Sequence, residues 1–270
     1  MTTTNLINVL EKQFQISHKK AKMLLTKKLV SVNGKIITAY DYPITKDHKI
    51  TIQKQTTDGI TILYEDSNIL VVEKEAGLLT IGTTKEKENT LYHRMSEYLK
   101  SKKKGAKLFV IHRLDRDTSG IVLLAKKESI QQLYQKSWNE IVLQRGYYAL
   151  VEGHLEKKKD TVSVFLEENK QYKVYVSKSG KKAITSYQVL KEGNSYSLLK
   201  INLQTGRKNQ IRATMEYLGT PVVGDFKYGA KQNPLQRLGL HAYLLQFKDP
   251  ISQQIRTFEL PLPQQFQKNI

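Results

Sequence analysis

Cysteine is missing altogether from the 270 residues. Its absence excludes a disulfide scaffold, a thiol nucleophile, a thiolate metal site and an iron–sulfur cluster, and it fits a reducing compartment. Long apolar runs are missing too. No stretch approaches the roughly 20 residues needed to span a bilayer. The N-terminal MTTTNLINVL lacks the charged start, long apolar stretch and cleavage site of a signal peptide, so a soluble, cytoplasmic protein is expected. Neither a GxGxxG nor a P-loop occurs, and the histidines at 18, 48, 93, 112, 154 and 241 are scattered without metal-ligand spacing. No metal and no cofactor is therefore expected.

Acidic residues are scarce. Only 25 Asp and Glu face 44 Lys and Arg, which leaves a net charge of +19 and an isoelectric point near 9.7. Such an excess concentrates polyanions and speeds encounter with them, which points to nucleic acid. With 39% hydrophobic residues and a mean hydropathy of −0.48, the chain can still bury a core. At roughly 100–200 residues per domain, its length suits one large domain with a small companion.

The companion is read at residues 1–53, followed by a polar linker over 54–59 and a larger domain over 60–270. Residues 1–58 carry ten lysines against four acids, a net +6. Ser17 can cap a helix running to about Lys28, with Ala21, Leu24 and Leu25 as its apolar stripe. Asn33-Gly34 between apolar runs predicts a tight hairpin, and Lys49–Ile52 a closing strand. In the larger domain, strands are expected at Ile69–Val72, Ile121–Ala125, Tyr147–Val151, Ala183–Leu190 and Tyr196–Leu203. A single amphipathic helix is expected through Ile130, Leu133, Tyr134, Ser137, Trp138 and Ile141. The charged stretch 85–107 reads as a solvated loop or an RNA-facing arm. This mixture is not a regular βαβ repeat, and it argues for an α+β fold.

Two segments carry the chemistry. His112-Arg113-Leu114-Asp115-Arg116-Asp117-Thr118-Ser119-Gly120 is a charged loop feeding the apolar strand IVLLA. Asp115 between two arginines stays ionised and is suited to act as nucleophile or base, whereas Asp117 is placed to cap the turn. Paired carboxylates also serve glycoside hydrolysis, which keeps a carboxylate-based nucleosidase as a rival. The second segment, LQTGRKNQIR, runs from a strand through a Gly turn into a helix with Ile211, Met215 and Leu218 on one face, ending at Gly219. Arg212 leaves that face. It is placed either to pair with a carboxylate at the sheet edge or to make a surface pair with Glu216.

These residues resemble the RluA-type pseudouridine synthases. HRLDRDTSGIVLLAK, RGYYALVEG, LQTGRKNQIR, GTPVVGDFKYG and LHAYLLQF follow the family's blocks in order over about residues 60–263. SHKKAKMLLTKKLVSVNGK with ITKDHKITI resembles the S4 RNA-binding domain, a common companion in that family. The resemblance implies a mainly antiparallel mixed sheet with a small S4-like α/β unit ahead of it. It implies that Asp115 is the catalytic aspartate, Tyr147 the tyrosine beside the uracil and Arg212 the arginine paired with the aspartate. Arg113 corresponds to the residue that enters the RNA where the nucleotide flips out, with His112, Arg207, Lys208 and Asn209 as further substrate contacts. Lys19, Lys20, Lys22, Lys27, Lys28, Asn33 and Lys35 would grip RNA. The chain departs from the family at His18, Lys28, Glu75, Asn209 and Thr214. The implied activity is conversion of uridine to pseudouridine in ribosomal or transfer RNA, by a monomer. A non-catalytic RNA-binding or ribosome-assembly protein of the same fold is the alternative.

Overall fold

The computed structural model describes residues 4–14, 16–26, 28–45, 47–52, 55–84 and 86–270, the side chains of Lys20 and Gln55 excepted. Lys27 and the side chain of Lys20 thus lie outside the described residues. The chain divides into two compact units, 1–57 and 58–270.

In the first unit, β1 (Thr4–Asn5) leads into α1 (Leu6–Gln13) and α2 (His18–Thr26). Then come β2 (Val30–Val32), β3 (Lys35–Ile36), β4 (Pro43–Ile44), β5 (Ile50–Ile52) and β6 (Gln55–Thr57). Leu6 and Leu10 of α1 bury against Ala21 and Leu25 of α2 and against Val30 and Val32 of β2. Helix α2 stops because Lys28 turns left-handed at φ 59°. The Leu29 N–H then returns to Leu24 O and the Lys28 N–H to Leu25 O, both at 3.0 Å. This closure normally favours Gly, because a Cβ there costs about 1 kcal/mol. Asn33 and Gly34, at φ 49° and 83°, form the turn that sets Val32 opposite Lys35. Strand β5 closes the sheet on β2. Within the expected linker 54–59, residues 55–57 form strand β6, and Asp58-Gly59 form a turn with φ 49° and 75°.

The second unit contains β7 (Ile60–Glu65), β8 (Ile69–Lys74), α3 (Leu91–Lys102), β9 (Phe109–Val110), β10 (Ser119–Ala125), α4 (Glu128–Lys136) and α5 (Trp138–Ile141). It continues with β11 (Val142–Glu152), β12 (Lys159–Glu168), β13 (Val174–Ser177), β14 (Lys181–Glu192), β15 (Tyr196–Leu203) and α6 (Gln210–Tyr217). A 3₁₀ turn (Phe226–Tyr228), β16 (Leu240–Lys248), β17 (Ile255–Glu259) and α7 (Gln264–Gln267) complete it. The strand order β13-β12-β14-β15-β11-β16-β10-β8-β7 makes a mixed, mainly antiparallel sheet, with β10 parallel to β16. Among the described residues no helix is long and apolar enough to cross a membrane.

Two sequence expectations are corrected. The charged stretch 86–107 holds α3, which Thr90 starts by accepting the His93 N–H at 3.1 Å. Leu91, Met95, Tyr98 and Leu99 are its buried face. The single helix expected through Ile130 and Ile141 breaks in two at Ser137, whose hydroxyl turns back to Leu133 O at 2.8 Å.

The parallel pair places the site. Ser119 lies beside His241 and Gly120 beside Ala242. Gly120 sits at φ 124°, and a Cβ there would lie 2.2 Å from the Ala242 carbonyl oxygen, so only Gly lets the strands meet. On the other edge of β16, Tyr147 of β11 also pairs with Ala242, next to a register shift after Gly146. Gly146 leaves room there for the Tyr243 ring. The loop before β10 therefore enters the sheet on the same line as Tyr147, two strands or roughly 10 Å away.

Candidate active site

The loop 113–118 is tied down from three sides. The Thr80 hydroxyl donates to Leu114 O at 2.8 Å and accepts the Leu114 N–H at 3.2 Å. The Gly77 N–H reaches Arg116 O at 3.0 Å. Lys74, fully buried, donates to the carbonyls of Glu75, Leu78 and Arg116 at 2.9, 2.7 and 2.8 Å. Asp117 accepts Arg116 Nε at 3.1 Å on the surface, rather than capping the turn as expected.

Burial pushes Lys74 down to about 8, against the Asp117 charge, which raises it, and together with the Arg237 charge, which lowers it further. An unfolded chain binds the lysine proton up to its ordinary value of 10.5, whereas the folded one releases it near 8. Stability is then expected to rise with pH from about 8 to about 9.5, below the range where tyrosines ionise in the unfolded chain. The gain is on the order of 2 kcal/mol. In Lys74→Met the pH-dependent rise should vanish. That variant should also lose roughly 3 kcal/mol near pH 7, and correspondingly more at higher pH, because three buried carbonyls lose their donor. Urea titrations at several pH values read both effects.

A cavity of about 230 Å³ opens between this loop, β11 and the start of α6, and Asp115, Tyr147 and Arg212 all line it. Arg113, Arg207, Lys208 and Asn209 line it as well. The turn before α6 is fixed by Gln210. Its carbonyl accepts the Arg207 N–H at 3.0 Å and the Thr205 hydroxyl at 2.8 Å, and its amide donates to Ile184 O at 3.0 Å. Asn209 stands left-handed at φ 48°, a conformation Asn tolerates.

Arg212 is the centre of the site. Nη1 lies 3.7 Å from Asp115 Oδ2. Its closer partner is Asp225, which accepts Nε at 2.6 Å and Nη2 at 2.8 Å. Nη1 also donates to Asn209 Oδ1 at 3.2 Å, and the guanidinium lies 4.6 Å over the Tyr228 ring. Asp225 is 3% exposed. Burial works against the charge on Arg212, but the bonds and charge of Asp225, with Asp115 behind them, hold its pKa above the ordinary value. The surface pair with Glu216 does not form, since Glu216 takes Lys173 at 2.6 Å instead. The trio Asp115, Arg212 and Asp225 keeps one net negative charge, directed into the cavity by Asp115. That suits a sugar carbon that becomes electron-poor.

The Tyr147 hydroxyl is pushed up to about 12, first by burial, with Arg145 and Asp115 acting in opposite senses, so it is a neutral donor at working pH. His112, expected at the substrate, does not line the cavity. Its ring packs 4.9 Å from Trp138, and Nε2 accepts the Leu123 N–H at 3.1 Å. Burial, then the Arg145 charge, pushes it down to about 4, which keeps Nε2 an acceptor and makes His112 a strand anchor. Asn209 is committed to Arg212 and to the Tyr228 hydroxyl at 3.0 Å, so it orients the arginine. Arg207 donates to Lys182 O at 3.0 Å and Lys208 pairs with Glu168. In the small unit, Lys19, Lys22, Lys28 and Lys35 are exposed. The Asn33 carbonyl there is occupied by the Lys49 N–H at 2.8 Å.

Sequence reasoning did not single out Asp225, Tyr228, Gln210 or Lys74. Asp225 carried one signal, a lone acid after the apolar run of GTPVVGDFKYG, and its partner emerges only once α6 and the 3₁₀ turn pack together.

Residues 68–217 match the protein family described as RNA pseudouridylate synthase. An uncharacterised RNA pseudouridine synthase of Mycoplasma pneumoniae is 32% identical over 98% of this chain and 91% of its own length. The ribosomal large subunit pseudouridine synthase D of Borreliella burgdorferi is 32% identical over 79% of this chain and 72% of its own. The human RNA pseudouridylate synthase domain containing 4 shares the fold, with a TM-score of 0.63 and 24% identity over 76% of this chain and 89% of that one.

Proposed function

The chain belongs to the RNA pseudouridine synthases, and we propose that within them it is an RluA-type enzyme whose small basic unit is an S4-like RNA grip. Its reaction is isomerisation of uridine in RNA. The N1–C1′ bond breaks, the uracil turns, a C5–C1′ bond forms, and the C5 hydrogen leaves as a proton while N1 takes one up. The base must leave the stack to turn, and a cavity of about 230 Å³ at the sheet edge is sized for one base rather than a duplex.

One observation carries the site assignment: the Asp115 carboxylate shares Arg212 with Asp225 in a cavity walled by Tyr147. Asp115 either adds to C1′ or removes the 2′ proton to give a glycal. Both routes need it ionised, and the neighbouring guanidinium serves that need. Tyr147 covers the detached base and keeps water from C1′, which prevents an abasic site. Arg113, exposed at the mouth, enters the helix vacated by the flipped nucleotide. The substrate is ribosomal or transfer RNA, bound by a cytoplasmic monomer.

RNA carrying 5-tritiated uridine, prepared from cells lacking this gene, tests the reading. Isomerisation releases tritium and leaves the RNA chain intact. Free uracil in its place would mean a nucleosidase, and no release from ribosomal or transfer RNA would leave a binding protein. The grip has its own test. Lys19→Ala with Lys22→Ala and Lys35→Ala is expected to weaken RNA binding and flatten its log–log salt dependence by about 2, at roughly 0.7 per lost single-strand contact. Turnover at saturating RNA should be unchanged, because phosphate contacts position rather than react. An unchanged slope would make the lysines a solvated face.

A further inference from the structure

A second cavity, of about 510 Å³, shares Arg212 with the catalytic one. Its walls are Arg116 and Asp117 of the signature loop, Asp225 to Lys227 of the 3₁₀ turn, and Arg237. Phe226 lines it while being 63% exposed. Asp225 is neutralised by Arg212 and Asp117 by Arg116. Lys227 and Arg237 therefore leave the cavity positive. Asp115 and Arg116 are consecutive residues, yet Asp115 lines the first cavity and Arg116 the second.

We propose that this cavity is a second nucleotide subsite, which takes the RNA residue next to the target uridine, stacks its base on Phe226 and holds its phosphate with Arg116 and Lys227. This deepens the uridine-isomerase reading and rests on it for the identity of the first cavity's occupant. The physical need is plain. Flipping the target removes the stacking partner of the bases on both sides of it, and a neighbour that Arg113 does not cover then lacks a face. An exposed aromatic ring among cations is the platform that single-stranded sites use, since every base has a π-face. The volume lies within the range of a pocket for one small ligand.

The test uses the full chain and three stem–loop RNAs with one loop uridine. One has adenosine on both sides of it, one an abasic ribose on the 5′ side and one an abasic ribose on the 3′ side. Wild type is expected to bind the all-adenosine RNA about tenfold more tightly than one of the abasic RNAs. Phe226→Ala should bind those two RNAs equally, at the weaker level, and Phe226→Tyr should restore the difference. An equal loss on all three RNAs in Phe226→Ala overturns the subsite. So does a wild type indifferent to the abasic residue on both sides, including weak binding to all three. Affinity is read without turnover, so a failed subsite leaves tritium release from ribosomal or transfer RNA intact. A failed isomerase reading abolishes that release and leaves the affinity difference standing.

Discussion

Asp115→Asn is expected to lower pseudouridine formation by about 10⁴-fold or more while RNA affinity stays within about twofold of wild type. The amide keeps the size and the neutral hydrogen-bonding capacity of the side chain. It loses the charge that both chemical routes require, because neither addition to C1′ nor removal of a 2′ proton proceeds from an amide. Folding should be untouched, since Asp115 keeps 38% of its side chain in solvent and its contact with Arg212 is 3.7 Å long. Asp117→Asn is the matched control. That carboxylate makes an exposed pair with Arg116, of a kind worth about 1 kcal/mol or less, so activity should fall no more than about threefold. Single-turnover tritium release at saturating RNA measures both variants. Near-normal turnover by Asp115→Asn removes it from the chemistry, and a dead Asp117→Asn reverses the assignment of the pair.

The sequence pointed to the candidate site where a motif compresses one local element, and it fell silent where two distant segments meet. Asp115 and the β10 strand share a single run, and the Gly in that run is dictated by the close approach of Ala242. Ile211, Met215 and Gly219 marked α6 by period and stop signal, and that placed Arg212 off the core face. Nothing in the period of either segment says that Asp225, 13 residues on, takes the stronger grip on Arg212. Lys74 was hidden for another reason. A lysine at the end of an apolar strand reads as a solvated end, and its burial depends on three carbonyls that a loop folds over it. Helix α3 shows the limit of charge as a guide. Leu91, Met95, Tyr98 and Leu99 carry the spacing of a buried face, but the surrounding lysines suggested a loop. His112 is the opposite case. A polar residue expected at the substrate packs on Trp138 and accepts the Leu123 N–H, away from the cavity lining.

Arg212→Met separates the two tasks of this arginine, but only when it is made twice. Alone, the variant leaves Asp225 as a carboxylate 3% exposed without its cation, and an orphaned buried charge costs about 3–5 kcal/mol. Lost activity would then be indistinguishable from lost fold. In Arg212→Met with Asp225→Asn the buried charge is removed together with its partner. Stability should return to within about 1–2 kcal/mol of wild type by urea titration. Activity should not return. Without the Arg212 guanidinium beside Asp115 to aim it, turnover is expected to remain about 10²–10³-fold below wild type, the size of effect seen when one oriented electrostatic partner is removed. A double variant with normal stability and normal turnover would show that Arg212 serves only to satisfy Asp225. Recovered stability with a slow rate would separate the part Arg212 plays beside Asp115 from its part in satisfying Asp225.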